Sequence, residues 1–259
     1  MLQQIILTEL FGTALLVLLG NGIVANVVLK GTKGQNAGWI SITAGWGFAV
    51  FIAAGISAGL GGVAHLNPAV TIMFAIQAAD KTFGLRADAL TKMSGVGLFF
   101  IVLLVQFIGA MLGSIFVDLL YWKHILSTKT DNDFQPRVLA IHSTGATNRA
   151  PILNFLMEFV GTVVLLVGIW GLTATKSSVF ESVGPLAVGL LVFGIGLSLG
   201  GTTGYAINPA RDLGPRLVHT FLPLKDKGSS EWSYSWIPGL GPVAAAVFIG
   251  LIAMAVKTA

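Results

Sequence analysis

The chain has 259 residues, 54% of them hydrophobic and only 10% charged, with a formal net charge of +4 and a mean hydropathy of +0.84. Soluble domains carry about a quarter charged residues, so this chain is built for lipid, and its modest positive charge, spread over loops, excludes a nucleic-acid partner. Cysteine is absent and the four histidines are scattered, which excludes disulfides and thiolate sites and leads us to expect neither metal nor cofactor.

Six apolar segments are long enough to span a membrane, which takes about 17–25 residues each. The first, Ile5–Leu29, carries Glu9; it has no basic start and runs too far for a signal-peptide core, so it is read as retained. The second, Trp39–Leu60, holds Trp46 between two glycines and leads into a glycine-rich stretch, GISAGLGGVAHL. Next comes Asn67–Ala79, helix-like but too short to span: Asn caps the start and Pro fits the first turn. The third span, Ser94–Tyr121, is followed by the longest polar connection, Lys123–Ala150, with Lys129, Asp131, Asp133 and Arg137. The fourth and fifth, Ile152–Thr173 with Glu158 and Val183–Leu199, precede a second glycine-rich stretch, GIGLSLGGTTGYAI. A second short helix, Asn208–Phe221, and the sixth span, Trp236–Val256, complete the chain. Tyr121, Trp122, Trp232, Tyr234 and Trp236 fall at segment ends, where amphipathic rings favour the membrane interface.

Irregular backbone at membrane depth is tolerated only inside protein or beside water. The two glycine-rich stretches therefore read as re-entrant loops ending in half-helices that line a cavity. The chain also repeats itself. Glu9 and Glu158 sit in similar contexts 149 positions apart, and the two Asn-Pro-Ala triplets, Asn67-Pro68-Ala69 and Asn208-Pro209-Ala210, are 141 apart. Three spans and one half-helix per repeat make the second repeat enter from the opposite face. The expected fold is all-α: six transmembrane helices and two re-entrant half-helices in one channel domain over 1–259. Repeat one covers roughly 1–122, the connecting loop 123–150 and repeat two 151–259. The half-helices then meet at mid-membrane with their positive N-terminal ends facing each other.

This constellation resembles the major intrinsic protein family, the aquaporins and glycerol facilitators, over nearly the whole chain. The resemblance rests on both Asn-Pro-Ala boxes in HLNPAV and NPARD contexts, the repeated glutamates, and the Arg after the second box. It implies a homotetramer with one pore per protomer, in the cell membrane, with both termini cytoplasmic. Basic residues do not decide the orientation, because Lys123, Lys129, Arg137 and Arg149 on one side oppose Lys81, Arg86 and Lys92 on the other. In such a pore, Asn67 and Asn208 cap the half-helices and aim side-chain amides at a passing hydroxyl, while the paired helix dipoles repel cations. A carboxylate inside a span is a functional candidate by default. The family implies that Glu9 and Glu158 accept hydrogen bonds from the re-entrant loops, a supporting role. His65 suits either loop fixing near the pore wall or plain packing.

Arg211 has no counterpart in the first repeat, where Val70 matches it, and a charge that breaks the symmetry points to selectivity. The resemblance completes a constriction of Trp46, Gly196, Tyr205 and Arg211, although Trp46 also suits an interface anchor. Two aromatic rings make an apolar corner, Arg211 donates to hydroxyls, and Gly196 leaves room for the rings and a wider aperture; a water-only filter usually places a histidine opposite the arginine. Asp212 and Arg216 match the glycerol-conducting branch of the family. Gly239 after Pro238 and Tyr205 in place of a common phenylalanine depart from it, and the extra hydroxyl makes the corner more polar. The expected function is passive diffusion of glycerol and similar small neutral solutes with water, without enzymatic chemistry. A channel for water or for small undissociated acids such as lactic acid, and an ion-coupled transporter, are the alternatives.

Overall fold

In lipid each backbone N–H and C=O must find its partner within the segment, so apolar runs close into helices. The computed structural model describes residues 2–78, 95–174 and 178–258, and all the regular structure among them is helical. In chain order the helices are α1 (Leu2–Val28), α2 (Trp39–Gly59), α3 (Pro68–Ala78), α4 (Gly95–Thr128), α5 (Phe134–Ala140), α6 (Pro151–Ala174), α7 (Ser178–Leu199), α8 (Pro209–Phe221) and α9 (Trp236–Thr258). Five of them, α1, α2, α4, α6 and α9, hold apolar runs of 21 to 34 residues, enough to cross a membrane. The 22-residue α7, with its apolar part at Val183–Leu199, reaches about 33 Å, while 11-residue α3 and 13-residue α8 reach about half to two thirds of a ~30 Å hydrocarbon core.

Two features of the polar connection differ from the sequence reading. The third span does not stop at Tyr121 but continues to Thr128, because its last turns close the end of α1: the Thr128 hydroxyl oxygen accepts from Lys30 N–H at 3.0 Å, and His124 Nδ1 lies 3.0 Å from the Lys30 carbonyl. The connection also contains α5, whose Arg137 pairs with Asp131 and Asp133, while Lys30 pairs with Asp131 at 2.8 Å. The hydrogen bond from Lys30 holds the Asp131 carboxyl below its usual range. Tyr234, two residues before α9, is buried within the protein. Ala79, Lys81, Arg86, Lys92 and Ser94 lie outside the described residues.

Packing follows one pattern in both halves. Helix α1 packs on α4 and α2, α6 packs on α9 and α7, and α2 meets α7 across the middle. Each half-helix leans on the last span of the other half, α3 on α9 and α8 on α4. Small residues permit these approaches, as expected where lipid offers no hydrophobic drive between helices. A Cβ on Gly109 or Gly113 of α4 would sit 2.3 Å from the Leu10 or Ala14 carbonyl of α1, and Gly47 and Gly189 exclude each other's Cβ in the same way between α2 and α7. Outward positions such as Phe11, Phe100, Leu119, Leu120 and Ile152 are exposed and apolar, as a lipid-facing surface requires.

Candidate functional site

The site grows from two stretches of strained backbone. Ala64 and Leu66 before α3, and Tyr205 and Ile207 before α8, have positive φ of 54°, 50°, 39° and 45°. A non-glycine residue in that region costs about 1–3 kcal/mol and persists only when its surroundings over-determine it. Here the surroundings are two carboxylates. Glu9 accepts from His65 N–H and Leu66 N–H, both at 2.8 Å, and from Gln106 Nε2 at 2.7 Å. Glu158 accepts from Ala206 N–H at 3.0 Å, Ile207 N–H at 2.9 Å and the Thr203 hydroxyl at 2.7 Å. Hydrogen bonds to a charged group contribute about 1.5–3 kcal/mol each, enough to offset the strain. Alternating positive φ turns successive N–H groups toward the glutamate.

Glu158→Gln replaces an acceptor by an amide that faces backbone donors. The expected result is a loss of about 1–3 kcal/mol for each donor left unpaired, read as a lower unfolding temperature and poorer yield in detergent. Solute preference should stay as in the unmodified protein. A stable variant with altered preference would mean that the carboxylate acts on the solute rather than on the loop.

The half-helices begin at Asn67 and Asn208. Asn67 Oδ1 accepts from Ala69 N–H, and Asn208 Oδ1 accepts from Ala210 N–H and Arg211 N–H, at 2.9 to 3.2 Å. Pro68 and Pro209 occupy the first helical positions, where a missing N–H costs nothing. The amide nitrogens reach across the centre: Asn67 Nδ2 donates to Ile207 O and Asn208 Nδ2 to Leu66 O, each at 2.9 Å. This changes one sequence expectation, because one N–H of each amide is committed to the facing loop. An amide carries two, so one donor per asparagine remains.

A cavity of about 720 Å³ runs past these asparagines, bounded at one end by Trp46, Tyr205 and Arg211 and at the other by Leu172, Thr173 and Gly184. The re-entrant loops line one side of it; apolar residues of α2, α6 and α7, among them Val50, Ala54, Leu165 and Val188, line another. His65 lines it too. Besides binding Glu9, its Nδ1 lies 3.2 Å from the Thr71 hydroxyl and its ring stacks on Phe74 at 5.1 Å, so loop fixing and packing coincide in one residue.

At the Trp46 end, the Arg211 guanidinium lies over the Trp46 ring, 4.0 Å from its centroid, a cation–π contact. No described residue accepts a hydrogen bond from that guanidinium. Its neighbour Asp212 is engaged elsewhere: it accepts from Thr144 N–H and the Thr144 hydroxyl, and pairs with Arg216 at 2.8 Å, both side chains fully buried. Arg216 also donates to the Thr144 and Ser230 carbonyls, tying the α5–α6 and α8–α9 connections to α8. Trp46, Tyr205 and Arg211 thus meet at the cavity, and Gly196 stands behind Tyr205. A Cβ on Gly196 would lie 2.7 Å from Tyr205 Cζ and 2.8 Å from its Oη, so the space left by the missing side chain is filled by the phenol instead of widening the lumen. The buried Tyr205 hydroxyl has no partner.

Sequence reasoning missed Gln106, Thr203, Thr144 and Trp39. Gln106, Thr203 and Thr144 are common polar residues in a span or loop and Trp39 is an aromatic ring at the start of a span; only the partner each reaches, 35 to 157 positions away, reveals its role.

The family model described as Major intrinsic protein matches residues 1–253. The chain is 45% identical over 241 residues to a probable glycerol uptake facilitator protein of Thermotoga maritima, covering 93% of this chain and 94% of that one. It is 42% identical over 239 residues to glycerol uptake facilitator protein 3 of Lactiplantibacillus plantarum, covering 92% and 90%. Among solved structures, the aquaglyceroporin from Plasmodium falciparum matches with a TM-score of 0.78 at 27% identity, over 99% of this chain and 97% of that one.

Proposed function

We propose, for a chain that belongs to the major intrinsic protein family, a passive membrane channel for glycerol and similar small neutral solutes. It is an integral membrane protein and not an enzyme. The observation that carries the solute class is the split lining of the cavity. Apolar side chains of α2, α6 and α7 offer a surface to CH groups, while the free amide donors of Asn67 and Asn208 and the uncommitted guanidinium of Arg211 offer bonds to hydroxyls. A solute shedding water loses about 1–3 kcal/mol for each polar group left without a partner. Glycerol, with its hydroxyls along one edge, loses least against such a wall. Trp46, Gly196, Tyr205 and Arg211 form the constriction, and water passes with the solute.

Protons and cations are excluded by the positive ends of α3 and α8, which meet at Asn67 and Asn208, together with the Arg211 charge. Ion-coupled transport is disfavoured because Glu9 and Glu158 each accept three hydrogen bonds and have little capacity left for a coupling ion. The family membership supports a homotetramer, one pore per protomer, in the cell membrane with cytoplasmic termini. Stopped-flow light scattering of proteoliposomes in glycerol, urea, lactic acid and sorbitol gradients tests the reading. Glycerol flux is expected to be unaffected by ionophores and to move no protons. A glycerol-driven change in internal pH, or flux that vanishes when an ion gradient is collapsed, would overturn it.

A further inference from the structure

We propose that Trp39 is a positioning residue that sets the solute size limit by pinning the Tyr205 ring against the end of α7. The inference rests on the reading of Tyr205 as part of the constriction. Trp39 opens α2 and does not line the cavity, yet it touches both the phenol and the Gly196 backbone beside it. Its indole N–H donates to the Gly196 carbonyl at 3.0 Å, and its ring meets the Tyr205 ring edge-on at 5.8 Å and 78°.

The Tyr205 ring is walled in on three sides. Gly196 and Gly200 lie so close that a Cβ on either would fall 2.7 or 2.5 Å from the ring, and that same Cβ on Gly196 would also meet Thr43 Cγ2 at 2.8 Å. Trp39 supplies the third wall, its Cζ2 lying 2.8 Å from a Cβ on Gly200. Nothing else anchors the ring tip, because the Tyr205 hydroxyl has no hydrogen bond, and the backbone beneath it is strained at φ 39°. A ring held by shape alone moves when one wall is removed. With Trp39 gone, the space it vacates is the direction open to the phenol away from the lumen, so the apolar corner widens. An indole serving only as a membrane-interface anchor would need neither the bond to Gly196 nor the contact with Tyr205.

The experiment is a double-mutant cycle read on a permeability ratio, erythritol over glycerol, in proteoliposomes of full-length protein. Glycerol flux through the unmodified protein is measured first and tests the channel reading by itself. Trp39→Ala is expected to raise the ratio several-fold, and to leave it unchanged when placed on Tyr205→Ala, because the tryptophan acts through that ring. An unchanged ratio in the first background, or an equal change in both, would overturn the proposal. If Trp39→Ala does not yield folded protein, Trp39→Phe, which removes the N–H and part of the ring but keeps an aromatic wall, must shift the ratio in the same direction by less; no shift there overturns it as well.

Discussion

Gly196→His is expected to suppress glycerol permeation by about tenfold to a hundredfold while sparing part of the water flux. The ring of Tyr205 already occupies the space next to Gly196, so the first added carbon would lie 2.7 Å from it, and an imidazole needs far more room. With Trp39 and Gly200 behind it, the phenol can yield only toward the lumen, where Trp46 and Arg211 complete the ring of contacts. Narrowing that corner removes space for the solute's carbon edge or separates its hydroxyls from Arg211. Losing one partnered hydroxyl, at about 1–3 kcal/mol, corresponds to roughly that change in rate. Water, smaller and without a carbon edge, loses less. Tyr205→Phe is the companion variant: it deletes a buried hydroxyl that has no partner, keeps the apolar corner, and is expected to retain or raise glycerol flux. Stopped-flow swelling at equal protein density measures both. Unchanged glycerol flux in Gly196→His would move the narrowest point away from these four residues.

Arg216→Met is expected to cost about 3–5 kcal/mol of stability. Arg216 and Asp212 are fully buried and paired at 2.8 Å, and removing the cation leaves a carboxylate in the interior with only Thr144 to solvate it. The Thr144 and Ser230 carbonyls lose their donor at the same time. Native stabilities are only about 5–15 kcal/mol, so the variant should appear at low yield with a sharply reduced unfolding temperature in detergent. Asp212→Asn on top of Arg216→Met removes the orphaned charge and should recover part of the loss. If Arg216→Met alone unfolds at the temperature of the unmodified protein, the pair is not what holds the α5–α6 and α8–α9 connections to α8.

The membrane class and the helices were legible in the residues because they depend on short-range composition. An apolar run has no choice but to close its own hydrogen bonds in lipid, so α1, α2, α6, α7 and α9 begin or end within a few residues of the expected spans. Asn-Pro-Ala is a helix start in three letters, and Glu9 and Glu158 announce themselves because a carboxylate in an apolar run is costly. What composition could not carry is everything made by contact at a distance. Helix α4 runs on to Thr128 because Lys30 needs an acceptor there, and α5 forms beside it, its Arg137 reaching back 109 positions to the Val28 carbonyl. The second N–H of each asparagine amide is lost to a carbonyl on the facing loop. Gly196 looked like open space in one dimension; in three it is the seat of Tyr205, with Trp39 bonded across 157 positions to hold the ring there. Local chemistry by itself determined which segments enter the membrane and which side chains are too costly to be idle there. Only the tertiary structure decided where those side chains point, because a hydrogen bond or a packed ring needs its partner within a few ångströms, and spacing along the chain does not record that distance.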